Sequence, residues 1–340
     1  MLFGTRPRHA ASLQVEGGQS EPRLHRSKIQ RLADARADRS GTGTSASHAA
    51  PPLLVCDFDQ TLLDYDSLGR LIGLLAPDLL RMWMSVKQPQ NFIPMTNSIF
   101  GAFQRRGISA HTIEHTLRKM GRIEFPRESA ELIRDAASRG CKVFVLSDCN
   151  DWLIELILAA ADVMPHVTQV ITNTALFTHA SHLDDTTPPT GGAPRDMADP
   201  ALRLAVFPRH PWDKPPHGCP YCPANLCKGA ELSALRAAFP GSPVVYCGDG
   251  ANDYCPSLRL GDGDAVLARK GFALDRLIQQ SLGDAVCKGT ALGGLGPFHA
   301  DMRSWSDHED LRSQVGDLVD AWVAEVSSGR PGECGAGPGA

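Results

Sequence analysis

The chain has 340 residues, of which 42% are hydrophobic and 21% are charged, and its formal net charge is −4. This balance is typical of a globular protein and excludes the globally basic surface that draws proteins to nucleic acid. No apolar run approaches the roughly eighteen residues that a membrane-spanning helix needs, so we expect no membrane span.

Residues 1–50 have no helical or strand periodicity and carry seven Arg and one Lys against four acidic residues. An organelle-targeting peptide has a similar Arg, Ser and Ala content but fewer acids, and a disordered extension fits equally well. The ten cysteines, without a secretory signal, favour reduced thiols in a reducing compartment. We therefore predict a cytoplasmic protein, with organelle targeting by residues 1–50 as the alternative.

Short apolar runs predict the strands of a parallel sheet whose faces are both covered. The first run ends at Asp57, and the later ones alternate with helical patterns, which predicts an open, doubly wound α/β sheet with crossover helices. The predicted strands are Leu53–Cys56, Lys142–Ser147, Thr168–Thr172, Val244–Asp249 and Asp264–Leu267.

Helical patterns interrupt this alternation between the first and second strands. We predict that residues 68–120 form a small helical cap over the binding edge of the sheet, inserted into a core of residues 51–67 and 121–326. Within the cap, the helices are predicted at Leu79–Val86, Phe92–Arg105 and Ser109–Met120.

In the core, helices are predicted from Pro126 to Gly140, from Trp152 to Ala161 and from Lys228 to Phe239. Residues 178–217 are rich in Pro, Gly, Thr and Asp and are predicted to be a surface excursion. An apolar stripe at helical spacing begins at Leu311 and indicates a packing face. Residues 327–340 are predicted to be a disordered tail.

Two clusters of acidic residues follow predicted strands. In Asp57-Phe58-Asp59-Gln60-Thr61, the two aspartates project to one side, because side chains alternate along a strand. Carboxylates this close need a cation or a shared proton.

The second cluster, Gly248-Asp249-Gly250-Ala251-Asn252-Asp253, offers two more carboxylates of the kind that Mg²⁺ prefers. Ordinary Asp, Gly and Thr turns are the alternative for each cluster alone.

Two further positions suit phosphate chemistry. Ser147 ends a predicted strand and can donate a hydrogen bond to a phosphoryl oxygen, and Lys228 begins a helix and can neutralise phosphate charge. Each alone is more often an incidental surface residue. We expect them to be functional because they converge on the edge that carries the acidic clusters.

These four motifs, in this order, resemble those of the haloacid dehalogenase superfamily. The segments Cys222–Lys228 and Gly248–Pro256 resemble the branch that contains phosphoethanolamine/phosphocholine phosphatase and pyridoxal phosphate phosphatase. The similarity covers about residues 52–282. It implies a Rossmann-like core and a magnesium-dependent phosphatase for small-molecule phosphomonoesters.

The resemblance also implies roles for individual residues. Asp57 would attack phosphorus to form an aspartyl-phosphate, and Asp59 would act as general acid and base. Mg²⁺ would be held by the Asp57 carboxylate, the Asp59 carbonyl and Asp249, with Asp253 orienting its water shell. The phosphoryl oxygens would be bound by Thr61, Ser147 and Lys228.

The resemblance leaves substrate selectivity open. In phosphocholine-type enzymes, acidic residues near the cap and after the motif serine face a cationic head group. Asp148 retains the second acid, whereas Leu68 stands where the first would lie, and Asp64 or Asp66 could compensate. Phosphocholine, phosphoethanolamine or a related compound is the predicted substrate, with pyridoxal phosphate or another vitamin phosphate as the alternative.

Three cysteines precede the predicted phosphate-binding lysine, at the spacing Cys219-x2-Cys222-x4-Cys227. A structural zinc site usually shows a second pair of ligands, which this segment lacks. We therefore predict that the thiols shape the loop that presents Lys228. A structural zinc is the alternative, because with His217 the segment has ligands enough.

A catalytically idle binding scaffold is the alternative from another class of protein. Such proteins typically lose the nucleophile or a metal-binding aspartate. This chain keeps Asp57, Asp59, Lys228, Asp249 and Asp253. The enzyme is therefore the favoured interpretation.

Overall fold

The described part of the chain is organised around a seven-stranded sheet. The computed structural model describes residues 50–85, 92–179, 202–288 and 298–328. The strand order is β4-β3-β2-β1-β5-β6-β7, and every neighbouring pair is parallel except β3 with β4. The strands are β1 Leu53–Cys56, β2 Lys142–Asn150, β3 Gln169–His179, β4 Leu202–Phe207, β5 Val244–Gly248, β6 Ala265–Arg269 and β7 Asp301–Trp305. The predicted α/β class with an open, mostly parallel sheet is confirmed.

The two central strands, β1 and β5, are buried along their whole length. Every residue of each strand is buried. A strand covered on both faces needs apolar side chains at every position, which accounts for the continuous apolar runs in the sequence. The sheet interior therefore fixes the strand ends from which the polar motifs emerge.

Helices flank the sheet and connect its strands. In the described ranges, the α-helices are α1 Ser67–Leu75, α2 Leu80–Met84, α3 Phe92–Arg105, α4 Ala110–Ile123, α5 Arg127–Ser138, α6 Asp151–Ala160, α7 Lys228–Ala238, α8 Tyr254–Ser257, α9 Ala273–Lys288 and α10 His308–Ser328. The predicted helices of the core agree with α5, α6 and α7 to within one or two residues at each end.

Helices α1 to α4 form the insertion between β1 and β2. Helix α4 packs against α6, and α3 packs against β4. The side chain of Asn97 in α3 makes two hydrogen bonds with the backbone of Val206 in β4: Nδ2 donates to the carbonyl at 3.0 Å, and Oδ1 accepts from the amide at 2.7 Å. The insertion is thereby tied to the β3–β4 side of the sheet. Its function as a cap stays a prediction.

Two strands, β4 and β7, were not predicted from the sequence. Strand β4 lies inside the segment predicted to be a surface excursion, yet Leu204 to Phe207 are buried and pair antiparallel with an extended β3. Its apolar run is short and is flanked by Pro-rich and Gly-rich sequence, which favours a loop when only local signals are read. Strand β7 pairs with β6 at one edge of the sheet and is largely polar, so it lacks a buried-strand pattern.

Several predictions fall outside the described residues. These are the targeting or disordered extension apart from residue 50, residues 180–201 of the excursion, and residues 329–340 of the tail; α10 extends to Ser328, two residues into the predicted tail. Among the described helices, none is both long enough and apolar enough to cross a membrane.

Candidate active site

The carboxyl ends of β1 and β5 bring the two acidic clusters together at one edge of the sheet. Cys56, the last residue of β1, lies opposite Val145 of β2 and Cys247 of β5. Asp57 follows directly, and its amide donates to the carbonyl of Cys247 at 2.9 Å. Asp249 comes two residues after Cys247. The parallel register thus places the two aspartates side by side, as the sequence predicts.

Lys228 lies at the centre of this edge, although it is far from both clusters in sequence. It is the first residue of α7 and is completely buried, with 0% of its surface exposed. Its Nζ lies 2.8 Å from Asp57 Oδ2 and donates to Asp253 Oδ1 at 2.7 Å. Burial by itself lowers the pKa of the ammonium, but the charges of Asp253 and Asp57 outweigh it and leave the pKa raised. The lysine is therefore held in its charged form.

The carboxylate of Asp253 is fully occupied by protein donors. Its Oδ1 accepts from Lys228 and from the Tyr246 hydroxyl at 2.5 Å, and its Oδ2 accepts from the amides of Asp249 at 3.0 Å and Gly250 at 2.8 Å. A carboxylate has about four lone-pair positions, so these four donors satisfy it. Asp253 thus holds the lysine and the loop after β5 in place.

Glycine at position 248 permits this close approach. A Cβ atom there would lie 2.5 Å from Cγ of Asp253, well inside van der Waals contact. Any side chain at that position would push the Asp253 carboxylate away from the loop amides. The Gly-Asp-Gly pattern is therefore a packing requirement of the site.

Asp57 and Asp249 are each oriented by one further donor. Phe58 N donates to Asp57 Oδ1 at 2.7 Å, and Thr61 Oγ1 donates to Asp249 Oδ1 at 3.1 Å. Burial raises the pKa of Asp57 well above its usual value, with Lys228 opposing the rise. Burial also raises the pKa of Asp249 to about 7. Both carboxylates are therefore costly to ionise unless a cation lies nearby.

Three carboxylates lie close enough together to form a metal site, in which Asp57 and Asp249 have free oxygen positions and Asp253, already occupied by protein donors, adds charge. Asp57, Asp249 and Asp253, called here the aspartate cluster, offer oxygen atoms that all lie within 4.8 Å of one another. One ammonium, that of Lys228, faces three carboxylates, so negative charge remains to be balanced. Hard oxygen donors and excess negative charge fit a divalent cation. The donor set therefore suits a metal ion.

A second group of acids lies beside the first. Asp59 Oδ1 accepts from Ser67 N at 2.8 Å, which ties the loop after β1 to the start of α1. Asp66 caps α1, and its side chain accepts from Gly69 N. Burial, followed by the charge of Asp66, raises the pKa of Asp59 well above its usual value, and the charge of Asp148 adds to the rise.

Ser147 and Asp148 reach the same edge at the end of β2. Ser147 is fully buried, and its Oγ accepts from Cys149 N at 3.2 Å. Asp148 Oδ2 accepts from Asn252 Nδ2 at 3.1 Å. Burial raises the pKa of Asp148, and Lys228 opposes that rise. Asp148 therefore faces the site, and Ser147 lies at the same edge of the sheet.

Two residues predicted near the substrate, Asp64 and Leu68, have contacts with other parts of the protein. Asp64 forms an ion pair with Arg269 at 2.6 Å, and its side chain is 58% exposed. Leu68 is only 2% exposed and packs in the hydrophobic core. Their assignment as substrate residues stays a prediction. Among the acids of this segment, the one whose charge raises the pKa of Asp59 most is Asp66.

Sequence reasoning missed two polar residues that support the site. Tyr246 stands inside an apolar strand, where it resembles an ordinary core aromatic residue. Arg269 NH1 donates to the carbonyl of Gln60 at 2.6 Å, and Gln60 has a left-handed φ of 59°. An arginine at the end of β6 gives no local signal of this contact. Both roles depend on strand order, which no motif encodes.

The fold and the site define a class of protein. An α/β sheet carries, at the carboxyl ends of neighbouring strands, an aspartate pair whose first member is buried, a serine, a lysine and a second aspartate pair. This is a phosphatase of the haloacid dehalogenase type. More narrowly, the chain belongs to the putative phosphatase family, whose model matches residues 52–319.

Similar proteins carry names that differ in substrate. Inorganic pyrophosphatase 2 of Arabidopsis thaliana is 28% identical, over 83% of this chain and 87% of that protein. The thiamine phosphate phosphatase-like protein of the same plant is 29% identical, over 81% of this chain and 98% of that protein. The human phosphoethanolamine/phosphocholine phosphatase is 27% identical, over 71% of this chain and 83% of that protein.

Proposed function

We propose that this chain is a magnesium-dependent phosphatase that hydrolyses a small-molecule phosphomonoester through an aspartyl-phosphate on Asp57. One observation carries the proposal: the buried ammonium of Lys228 lies 2.8 Å from Asp57 and 2.7 Å from Asp253. A buried lysine among carboxylates, at the edge of an open α/β sheet, suits a dianionic phosphoryl group.

Asp57 is the proposed nucleophile. Its carboxylate is oriented by Phe58 N on one oxygen and by Lys228 on the other. A bond forms between a carboxylate oxygen and phosphorus, and the bond from phosphorus to the leaving oxygen breaks. Water then attacks the phosphorus of the aspartyl-phosphate, which releases inorganic phosphate and restores Asp57.

Asp59 is the proposed general acid and base. Its raised pKa, caused by burial and by Asp66, favours the protonated form that such an acid needs. The proton passes to the leaving oxygen in the first step, and Asp59 accepts one from the attacking water in the second. The hydrogen bond from Ser67 N fixes the carboxyl group during both steps.

The metal ion would be held by the carboxylates of Asp57 and Asp249, together with the backbone carbonyl of Asp59 that the family resemblance implies. Bound there, Mg²⁺ would neutralise charge on the phosphoryl group. Thr61 Oγ1 orients Asp249, and Asp253 keeps the loop that carries Asp249 in position. Ser147, Lys228 and Thr61 are the proposed partners of the phosphoryl oxygens.

An ammonium-bearing leaving group fits the surrounding charge. Asp66 and Asp148 lie close enough to Asp59 for their negative charges to raise its pKa. Asp66 can therefore replace the acidic residue that phosphocholine-type enzymes have at the position of Leu68. Phosphocholine, phosphoethanolamine or a related compound is the proposed substrate. The thiamine phosphate phosphatase-like relative supports the alternative, a vitamin phosphate such as pyridoxal phosphate or thiamine phosphate.

A substrate panel tests the proposal. Initial rates are measured with Mg²⁺ for phosphocholine, phosphoethanolamine, pyridoxal phosphate, thiamine phosphate, phosphoserine and inorganic pyrophosphate. We expect the highest kcat/KM with one of the two amino-alcohol phosphates, and loss of activity on chelation that returns with Mg²⁺. Turnover of pyrophosphate alone, or full activity after chelation and dialysis, would contradict the proposal.

A matched pair of variants locates the selectivity. Asp66→Asn keeps a good helix cap while removing the charge, and Asp64→Asn makes the same chemical change at the exposed neighbour. The measured quantity is the ratio of kcat/KM for phosphocholine to kcat/KM for glycerol phosphate. We expect Asp66→Asn to lower this ratio about tenfold, because losing about 1.4 kcal/mol of attraction between the carboxylate and the substrate ammonium is tenfold in rate. Asp64→Asn should leave that ratio unchanged. Equal ratios in both variants would remove Asp66 from the substrate site.

A further inference from the structure

Four cysteines gather next to the aspartate cluster. Cys219, Cys222 and Cys227 lie in the loop before α7, and Cys255 lies in α8. The four sulfur atoms all lie within 4.8 Å of one another. This group is called the cysteine cluster below. It plays no part in the phosphatase chemistry proposed above.

We propose that the cysteine cluster binds one structural zinc ion. Tetrahedral zinc with Zn–S bonds of about 2.3 Å requires sulfur atoms about 3.8 Å apart. The sulfurs of Cys227 and Cys255 are 3.9 Å apart. That separation is far longer than the roughly 2.0 Å of a disulfide bond, and the structure records all four thiols as free.

The fourth ligand changes the conclusion drawn from the sequence. The segment from Cys219 to Cys227 supplies three thiols, and a closed structural site needs four. Cys255 stands 28 residues beyond Cys227 and reaches the loop through the fold. The preference for thiols that only shape the loop depended on the missing second ligand pair in the sequence. The fold supplies a fourth sulfur from Cys255, so that objection no longer holds.

The surrounding backbone is shaped to admit the cluster. A Cβ atom at Gly229 would lie 2.4 Å from the sulfur of Cys255, so only glycine lets the first turn of α7 approach it. His217 Nδ1 accepts from Cys219 N at 3.1 Å, and His217 Nε2 lies 3.0 Å from the carbonyl of Pro223. These contacts shape the loop without using the sulfurs, and the ring of Tyr221 packs against that of Tyr254 in α8, with the centroids 4.9 Å apart.

The ligand chemistry separates this site from the aspartate cluster. Four thiolates select zinc or another soft metal, whereas carboxylates select Mg²⁺. A site with four protein ligands leaves no position for substrate, so the zinc would be structural. Cys227 precedes Lys228 directly, and Cys255 follows Asp253 by two residues. Zinc would therefore tie together the two segments whose side chains form the Lys228–Asp253 ion pair.

Metal analysis of the full-length protein tests the proposal. The protein is purified without chelators, its affinity tag is removed, and zinc is measured by mass spectrometry. We expect about one zinc per chain, bound by four sulfurs at about 2.3 Å in X-ray absorption. Protein that contains no zinc, cannot be loaded with zinc or cobalt, and reacts at all four thiols in its native state would overturn the proposal.

Variants assign the metal to its ligands. Cys255→Ser should lose most of the zinc, while Cys141→Ser, at a buried thiol outside the cluster, should keep it. Zinc retained at the wild-type level in Cys255→Ser would overturn the four-cysteine site. If that variant does not fold, cobalt-loaded wild type decides, since tetrahedral sulfur ligation has strong thiolate-to-cobalt absorption, and its absence counts against the site.

The zinc proposal and the proposed phosphatase activity can be refuted separately. Asp57→Asn should lose turnover and keep its zinc, because Asp57 touches none of the four thiols. Magnesium titrations report on the aspartate cluster, and sulfur ligation reports on the cysteine cluster. An active enzyme that contains no zinc and cannot be loaded with zinc or cobalt would refute only the zinc site, and a zinc-bound but inactive one only the phosphatase.

Discussion

Replacing Thr61 by valine tests whether Asp249 holds the metal ion. Thr61 is fully buried, and its hydroxyl donates to Asp249 Oδ1 at 3.1 Å. Valine keeps the branched shape and removes the donor, so the main loss is one hydrogen bond to a carboxylate. Since hydrogen bonds to charged groups contribute about 1.5–3 kcal/mol net, the change is large enough to measure.

The expected result is a higher magnesium requirement. A loss of 1.4 kcal/mol is tenfold in an equilibrium constant, so the Mg²⁺ concentration for half-maximal activity should rise about 10- to 100-fold. The kcat at saturating Mg²⁺ should change much less. The Thr61 hydrogen bond lowers the pKa of Asp249, which burial has raised to about 7. Its removal raises that pKa further, and protons then compete with Mg²⁺ at a higher pH.

The pH dependence therefore has a definite sign. The magnesium requirement of Thr61→Val should grow as the pH falls through 7, more steeply than that of wild type. The assay is a magnesium titration of initial rate at several pH values. Thr61→Ser is the matched control, because it keeps the hydroxyl and should restore the wild-type titration.

A different result would refute this reasoning. If Thr61 acts mainly on the phosphoryl group, Thr61→Val raises KM for the substrate while the magnesium titration stays unchanged. That outcome would support the role that the motif resemblance implies for Thr61 and would remove it as a support for Asp249. A rise in both quantities, restored by serine, would assign the hydroxyl to both partners.

Three further variants test the supports of the site. Asp57→Asn should abolish turnover without lowering thermal stability, as measured by phosphate release and circular dichroism; substantial activity in pure protein would rule out the covalent mechanism. Tyr246→Phe removes a hydrogen-bond donor to Asp253 and should lower the free energy of unfolding, measured in urea, by about 1.5–3 kcal/mol. An unchanged urea midpoint of unfolding would mean that this hydrogen bond contributes nothing to stability. Arg269→Gln releases the Gln60 carbonyl and should lower kcat more than it raises KM, whereas an unchanged kcat would show that the loop keeps its shape without the arginine.

The sequence by itself determined the fold class and grouped most of the candidate site residues. Buried parallel strands need continuous apolar runs, and these runs are visible without a structure. Polar motifs that follow such runs must meet at the carboxyl edge of the sheet, which is why Asp57, Ser147 and Asp249 could be grouped. Strands β4 and β7 could not be predicted, because their burial and pairing depend on neighbours distant in sequence.

Only the tertiary structure decided where the neighbouring residues after the first motif lie. Asp64, Asp66 and Leu68 lie within five positions, and their composition gives no basis for choosing among them. The start of α1 buries Leu68 and keeps Asp66 beside Asp59, while Arg269 pairs with Asp64.

The same limit applies to contacts between distant segments. Tyr246 reaches Asp253, and Cys255 completes the cysteine cluster, because strand order and helix packing bring them together. Local patterns report which face of a strand or helix a residue occupies, since that follows from backbone periodicity. They do not report which distant side chain it meets, because that depends on how the elements pack.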